Sequence, residues 1–93
     1  MKKYDTELMD EASLWAVDYD LPNDNAYDIL FHFYNRRNWE DKHGFDFQLS
    51  KKDWFDIWAP AGYGTSDVYV LLRRDDTMPL TKDNCLFMKK KDL

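Results

Sequence analysis

The spacing of apolar residues predicts a helix over residues 6–19. Apolar side chains recur there every three or four positions and so share one helix face: Leu8, Ala12, Trp15 and Tyr19. Asp5 or Thr6 is suited to cap its N-terminus, and Leu21-Pro22 ends it because proline has no backbone N–H. Acidic residues fall on the opposite side: Glu7, Asp10, Glu11 and Asp18.

A second helix is predicted over residues 24–37, with its cap at Asn23-Asp24-Asn25. Its apolar positions form two adjacent stripes, so we expect it to lie at the centre of the core. Arg36 and Arg37 suit the negative pole of the helix dipole near the C-terminal end. Residues 38–44 are then predicted to form a loop.

A short strand is predicted over residues 45–49, where apolar and polar residues alternate. A third helix is predicted to follow it. Ser50 and Asp53 have the spacing of a capping box at its start, and Leu49 and Trp54 are placed to form a hydrophobic staple.

Two further strands are predicted over residues 68–74 and 85–89, with a turn at 75–79, because both segments suit a half-buried pleated surface. The element order is α-α-β-α-β-β, and 93 residues fit one domain. We therefore expect a single α+β domain over residues 1–93. It would consist of two N-terminal helices followed by a β-α-β-β unit with a short antiparallel sheet.

Charge is distributed unevenly along the chain. The net charge is −5, yet residues 1–35 hold eight acids against two lysines, and residues 68–93 hold six basic residues against four acids. The front of the chain is therefore predicted to be acidic. Two interpretations stay open: an ordinary solvated helix face, or a surface that meets a basic partner such as a nucleic-acid-binding protein.

Cysteine content and hydropathy bear on the compartment. A single cysteine, Cys85, allows no intrachain disulfide and no cysteine-rich zinc site. Acids rather than an apolar run follow the first residues, so no signal peptide is expected. No stretch approaches the roughly 18 apolar residues that span a bilayer. We expect a cytoplasmic protein with no membrane association.

No complete set of catalytic residues is evident in the sequence. His32 and His43 are the only histidines, too few with one cysteine for a zinc site, although magnesium held by carboxylates stays open. Cys85 lies in an apolar run, which favours a buried, inert thiol. Gly62-x-Gly64 is too short for a phosphate-binding loop. We expect no metal, no cofactor and no enzymatic activity.

Clustered basic residues suggest an alternative, a small nucleic-acid surface in the second half of the chain. Seven residues would contact phosphates: Lys51, Lys52, Arg73, Arg74, Lys89, Lys90 and Lys91. The sequence pI of 4.8 counts against tight phosphate binding, because affinity depends on neutralising backbone charge.

Residues 42–88 resemble the small HNH-endonuclease-like proteins of bacteriophages. The resemblance is carried by residues 43–54 with the helical Trp54, by residues 69–75, and by residues 79–87, which contain Asn84-Cys85. It implies an HNH-like ββα-metal fold in which a histidine at a strand end activates water beside one divalent metal. Here that strand end is Leu72-Arg73-Arg74, and no histidine follows Asn84. Asp75 and Asn84 would be remnants of the site or simple turn residues.

The resemblance also implies a phage or mobile-element origin. Our first hypothesis is a non-catalytic protein that binds and inhibits a host nucleic-acid enzyme, as anti-CRISPR or anti-restriction proteins do. Its acidic surface would comprise Glu7, Asp10, Glu11 and Asp18. The alternatives are a degenerate HNH-like module that binds DNA through the basic residues, and a metal-dependent HNH nuclease with His43, Asp75 and Asn84 at its site.

Overall fold

The structure, a computed structural model, describes residues 6–62 and 68–93. Within them lie three α-helices and one two-stranded antiparallel sheet, so the predicted α+β class is confirmed. The elements are α1 (Thr6–Tyr19), α2 (Asn23–Lys42), α3 (Lys51–Trp58), β1 (Tyr69–Arg73) and β2 (Cys85–Lys89), with short 3-10 turns at Ala59–Ala61 and Lys90–Asp92. Residue Asp5, one proposed cap, and Gly64 of the short glycine loop lie outside the described residues.

Helix α1 begins and ends where the periodicity predicts. Its fully buried positions are the small residues Ala12 and Ala16, which let its backbone approach α2 closely. Trp15 stacks on Phe55 of α3 with ring centroids 4.6 Å apart. The predicted apolar face is therefore the face that α1 presents to the core.

Helix α2 is longer than the sequence suggests, since it continues to Lys42, and the predicted loop at 38–44 is wrong for most of its length. One charged side chain near its end is buried rather than solvated. Glu40 is fully buried and accepts hydrogen bonds from Arg36 on its own helix and Arg73 on β1. Arg36 and Arg37 consequently lie inside the helix and not at its negative pole.

The two ends of α2 are formed without the predicted side-chain cap. Pro22 occupies the N-cap position, and the Asn25 amide instead donates to the carbonyl of Gly62, 2.6 Å away. At the C-terminal end Gly44 takes a positive φ of 76°, a conformation that favours glycine. The Phe45 N–H then reaches back to the Glu40 carbonyl at 2.8 Å, which closes the helix with a Schellman motif.

Helix α3 starts as predicted. The Ser50 hydroxyl accepts from the Asp53 N–H at 3.0 Å, and the Asp53 carboxylate accepts from the Ser50 N–H at 3.2 Å, which is the reciprocal capping box. Leu49 and Trp54, the expected staple pair, are both buried in the core. The strong local signal at this position fixes the helix start.

The prediction of a strand over residues 45–49 is wrong, because this segment does not join the sheet. It is reduced to one parallel bridge between Phe47 and Leu80, with hydrogen bonds from Gln48 to Leu80 and from Leu80 to Asp46. The next N–H on that edge belongs to Met78 and is taken by the Asp75 carbonyl at 3.1 Å, so the pairing does not extend beyond Leu80 in that direction. The hairpin itself is confirmed, in a register that pairs Tyr69 with Lys89 and Arg73 with Cys85.

The core is formed by one face of each element. Its largest buried side chains are Trp54, Phe55, Ile29, Leu30, Leu71 and Leu80. The Trp54 indole donates to the Ile29 carbonyl at 2.9 Å, which satisfies its only donor. Among the described helices, none is both long enough and apolar enough to cross a membrane.

The buried carboxylate of Glu40 generates a stability prediction. Glu40→Ala would leave Arg73, which is only 10% exposed, without its counter-ion. Breaking a buried pair in this way costs about 3–5 kcal/mol. Urea unfolding followed by circular dichroism measures the loss, and Asp41→Ala at the exposed neighbouring position serves as the matched control. A loss no larger than that of the control would contradict a structural role for Glu40.

Candidate interaction surface

The solvent-facing side of α1 combines acids with exposed apolar residues. We define the α1 outer face as Glu7, Asp10, Leu14, Val17 and Asp18. These positions recur at helical spacing and so lie along one side of the helix. Leu14 is 68% exposed and Val17 is 79% exposed, with the three exposed acids around them. An apolar centre with a charged surround is the arrangement found in protein interfaces.

The three acids of the outer face are not neutralised within the described part of the chain. No Lys, Arg or His there lies within ion-pair distance of Glu7, Asp10 or Asp18. Residues 6–35 also contain no lysine or arginine. Within residues 6–62 and 68–93, the negative charge of the outer face is therefore not compensated by an ion pair.

Glu11 is different, and the prediction that it shares the exposed face is wrong. Its position lies at the border of the helix that meets α2 and α3. Its carboxylate accepts from Lys51 at 2.8 Å, from Tyr34 at 3.0 Å and from the Trp15 indole at 3.2 Å. Burial acts to raise the pKa of Glu11, but the hydrogen bonds from Lys51, Trp15 and Tyr34 together lower it. Glu11 thus joins α1 to α2 and α3 through hydrogen bonds.

Three of the seven basic residues predicted to contact DNA form ion pairs within the protein. Lys51 pairs with Glu11, Lys52 pairs with Asp56 at 3.0 Å, and Arg73 pairs with Glu40 at 3.1 Å. The other four flank opposite ends of the hairpin, because Arg74 follows β1 while Lys89 pairs with Tyr69 at the start of β1. Four residues of strand separate those ends by roughly 13 Å.

Lys52 belongs to a second hydrogen-bond network, which joins α3 to α1. Its partner Asp56 also accepts from the Tyr19 hydroxyl at 2.6 Å. Burial, followed by the hydrogen bond to Asp56, raises the pKa of Tyr19 to about 12. Tyr19 therefore stays protonated and holds the end of α1 against α3.

Asp75 and Asn84, which the resemblance assigns to a nuclease site, stabilise the turn between β1 and β2. The Asn84 side chain accepts from the Asp75 N–H at 2.8 Å and donates to the carbonyls of Asp75 and Pro79 at 3.0 and 2.9 Å. The Asp75 carboxylate accepts from the side chain and the backbone of Thr77, and both contacts lower its pKa. Asn84 thereby organises the loop that joins β1 to β2.

The two histidines and the cysteine lie in different parts of the structure. His32 and His43 lie eleven residues apart along α2 and its C-cap, roughly 16 Å along the helix axis. His43 stacks on Trp39 with centroids 4.2 Å apart and contacts its carbonyl. Cys85 is half-buried, and burial raises the pKa of its thiol. Within residues 6–62 and 68–93, no group of three or more His, Cys, Asp or Glu side chains is arranged to hold a metal.

The Glu11 network predicts a pH dependence of stability. Because folding lowers the pKa of Glu11, its contribution is fully present above the ordinary value of 4.5 and is lost as the pH falls through the lowered value. Both partners are partly solvated, so Glu11→Gln should cost about 1 kcal/mol near neutral pH. The variant should also lose less stability on acidification than the unaltered chain.

Urea unfolding at neutral and acidic pH measures both effects, with the exposed Glu7→Gln as the control. Equal acid sensitivity of the Glu11→Gln variant and the unaltered chain would refute the assignment.

No family model, curated protein or solved structure matches this chain.

Proposed function

We propose that this chain is a non-catalytic, phage-type interaction protein that binds and inhibits a host nucleic-acid enzyme. The α1 outer face docks on the basic groove in which that enzyme holds its nucleic acid. The observation that carries the proposal is the combination of two exposed apolar side chains, Leu14 and Val17, with three acids that have no counter-ion among the described residues. CRISPR and restriction effectors are the proposed partners, on the strength of the HNH-like phage resemblance.

The negative charge of the α1 outer face favours a partner with a basic surface. A groove that binds nucleic acid is lined with lysine and arginine, because most of the affinity comes from neutralising phosphates. The acids from Glu7 to Asp18 extend for roughly 16 Å along the helix. They would steer the encounter with such a groove and disfavour acidic surfaces.

Apolar contact gives the surface its affinity. Complete burial of a leucine or valine side chain contributes about 1.5–3 kcal/mol. Leu14 and Val17 lie one helical turn apart, so a single apolar depression in the partner accommodates both. Charge therefore governs mainly the association rate, and these two side chains govern mainly the lifetime of the complex.

The positions of the polar residues support a role without catalysis. Asn84 and Asp75 are engaged in the turn between the strands, and the two histidines lie far apart on α2. The DNA-binding alternative has weaker support, because three of its seven basic residues form internal ion pairs.

Charge reversal on the outer face tests the proposal. The triple variant Glu7→Lys, Asp10→Lys, Asp18→Lys should lose capture of a nucleic-acid enzyme from bacterial lysate and should no longer inhibit that enzyme when it is purified. The control reverses three exposed acids elsewhere: Asp41→Lys, Asp83→Lys and Asp92→Lys. It has the same net charge, so it should retain capture and inhibition if the face itself is recognised.

Equal binding by both triple variants, with unchanged circular dichroism spectra, would reject the surface. A mobility shift of duplex DNA that weakens steeply with salt and disappears when Lys89, Lys90 and Lys91 are replaced by alanine would instead favour the DNA-binding module.

A further inference from the structure

A cavity on the other side of α2 has the composition of a ligand site. Its volume is about 340 Å³, within the range of roughly 300–1,000 Å³ typical of small-molecule pockets. It lies between α2, α3, β1 and the residue after β2. Its lining residues include His32, Asn35, Arg36, Trp58, Tyr69 and Lys90. None of these residues belongs to the α1 outer face.

A buried donor without an acceptor lines this cavity. Trp58 is only 4% exposed, and its indole N–H has no hydrogen-bond partner among the described residues. Trp54, four residues earlier on the same helix, has its ring 5.7 Å from that of Trp58 and does donate to a carbonyl. Buried polar groups are normally paired, so an acceptor from outside the described residues would satisfy the Trp58 N–H.

The charges around the cavity select an anion. Lys90 contributes one cation and Arg36 a second, whose Nε is already bound to Glu40 at 3.3 Å, and no Asp or Glu is among the lining residues. Lys90 is exposed and forms no ion pair within the described part of the chain, so its ammonium group is available to a ligand. His32 holds its Nδ1 at 2.8 Å from the Asp28 carbonyl, which leaves Nε2 as the other polar atom of the ring.

The walls of the cavity select a flat molecule. Trp39, Trp54, Trp58 and Tyr69 all contribute to the lining, and Trp39 is half-exposed. Trp54 and Trp58 are only 2% and 4% exposed, so the half-exposed Trp39 and the half-buried Tyr69 provide the ring surface that can stack on a planar molecule. We propose that the cavity binds a small planar aromatic anion that carries a second acceptor. The anionic group lies near Lys90 and Arg36, the ring packs against the aromatic walls, and the acceptor takes the Trp58 N–H.

Nucleoside monophosphates and aromatic carboxylic acids share this chemistry, and a titration distinguishes them. The full chain, labelled with nitrogen-15, is titrated with AMP, GMP, CMP and UMP, and separately with 4-hydroxybenzoate. Adenosine and inorganic phosphate are the fragment controls. The Trp58 indole resonance, assigned by its absence in Trp58→Phe, should shift with one of the two ligand classes, and both fragments should bind about ten-fold more weakly.

Lys90→Ala tests the site without disturbing the core, because this side chain is exposed. It should weaken binding about ten-fold, whereas Lys91→Ala at the adjacent exposed position should leave the affinity unchanged. The proposal is overturned if millimolar ligand leaves the Trp58 resonance in place, as expected if that N–H faces the neighbouring Phe87 ring. Equal weakening by the two lysine variants, or phosphate that binds as tightly as a nucleotide, would overturn it too.

Discussion

The buried carboxylate of Glu40 is the contact on which the arrangement of helices and hairpin depends. It is completely enclosed, and it binds Arg36 on its own helix and Arg73 at the end of β1. A buried charge is tolerated only when it is paired and hydrogen-bonded. The pairing therefore requires α2 to continue past residue 38 and requires the hairpin to pack against it. Arg73 extends the contact by lying over the Phe45 ring, 4.8 Å from its centroid.

A similar contact at the other end of the molecule decides which acids are available to a partner. Glu11 is held by Lys51, Tyr34 and Trp15, so α1 is fixed in rotation against α2 and α3. Glu11 is turned inward. The other acids of the helix, Glu7, Asp10 and Asp18, face solvent together with Leu14 and Val17. The acids of α1 therefore differ in their surroundings: Glu11 is held in an internal ion pair, whereas Glu7, Asp10 and Asp18 are exposed and have no counter-ion among the described residues.

The sequence predicted the elements whose signals are local and missed the contacts that are distant. The periodicity of α1 and the capping box at Ser50 depend on residues a few positions apart, and both predictions are confirmed. The end of α2 was mistaken for a loop because Glu40 looks solvated until Arg73, 33 residues later, is placed beside it. Glu11 was assigned to the exposed face for the same reason, since its partner Lys51 lies 40 residues away. The Trp58 N–H could not be singled out from the sequence, because its lack of a partner among the described residues depends on how several distant segments pack around it.

Recognition through the α1 outer face is the central functional claim, and methyl cross-saturation in the complex tests it most directly. The methyl-labelled chain is bound to the captured nucleic-acid enzyme, and the enzyme is irradiated. The account predicts that the Leu14 and Val17 methyl groups lose intensity while those of Val70 and Leu71 on β1 keep theirs. Intensity loss confined to the hairpin methyl groups, with Leu14 and Val17 unaffected, would contradict it.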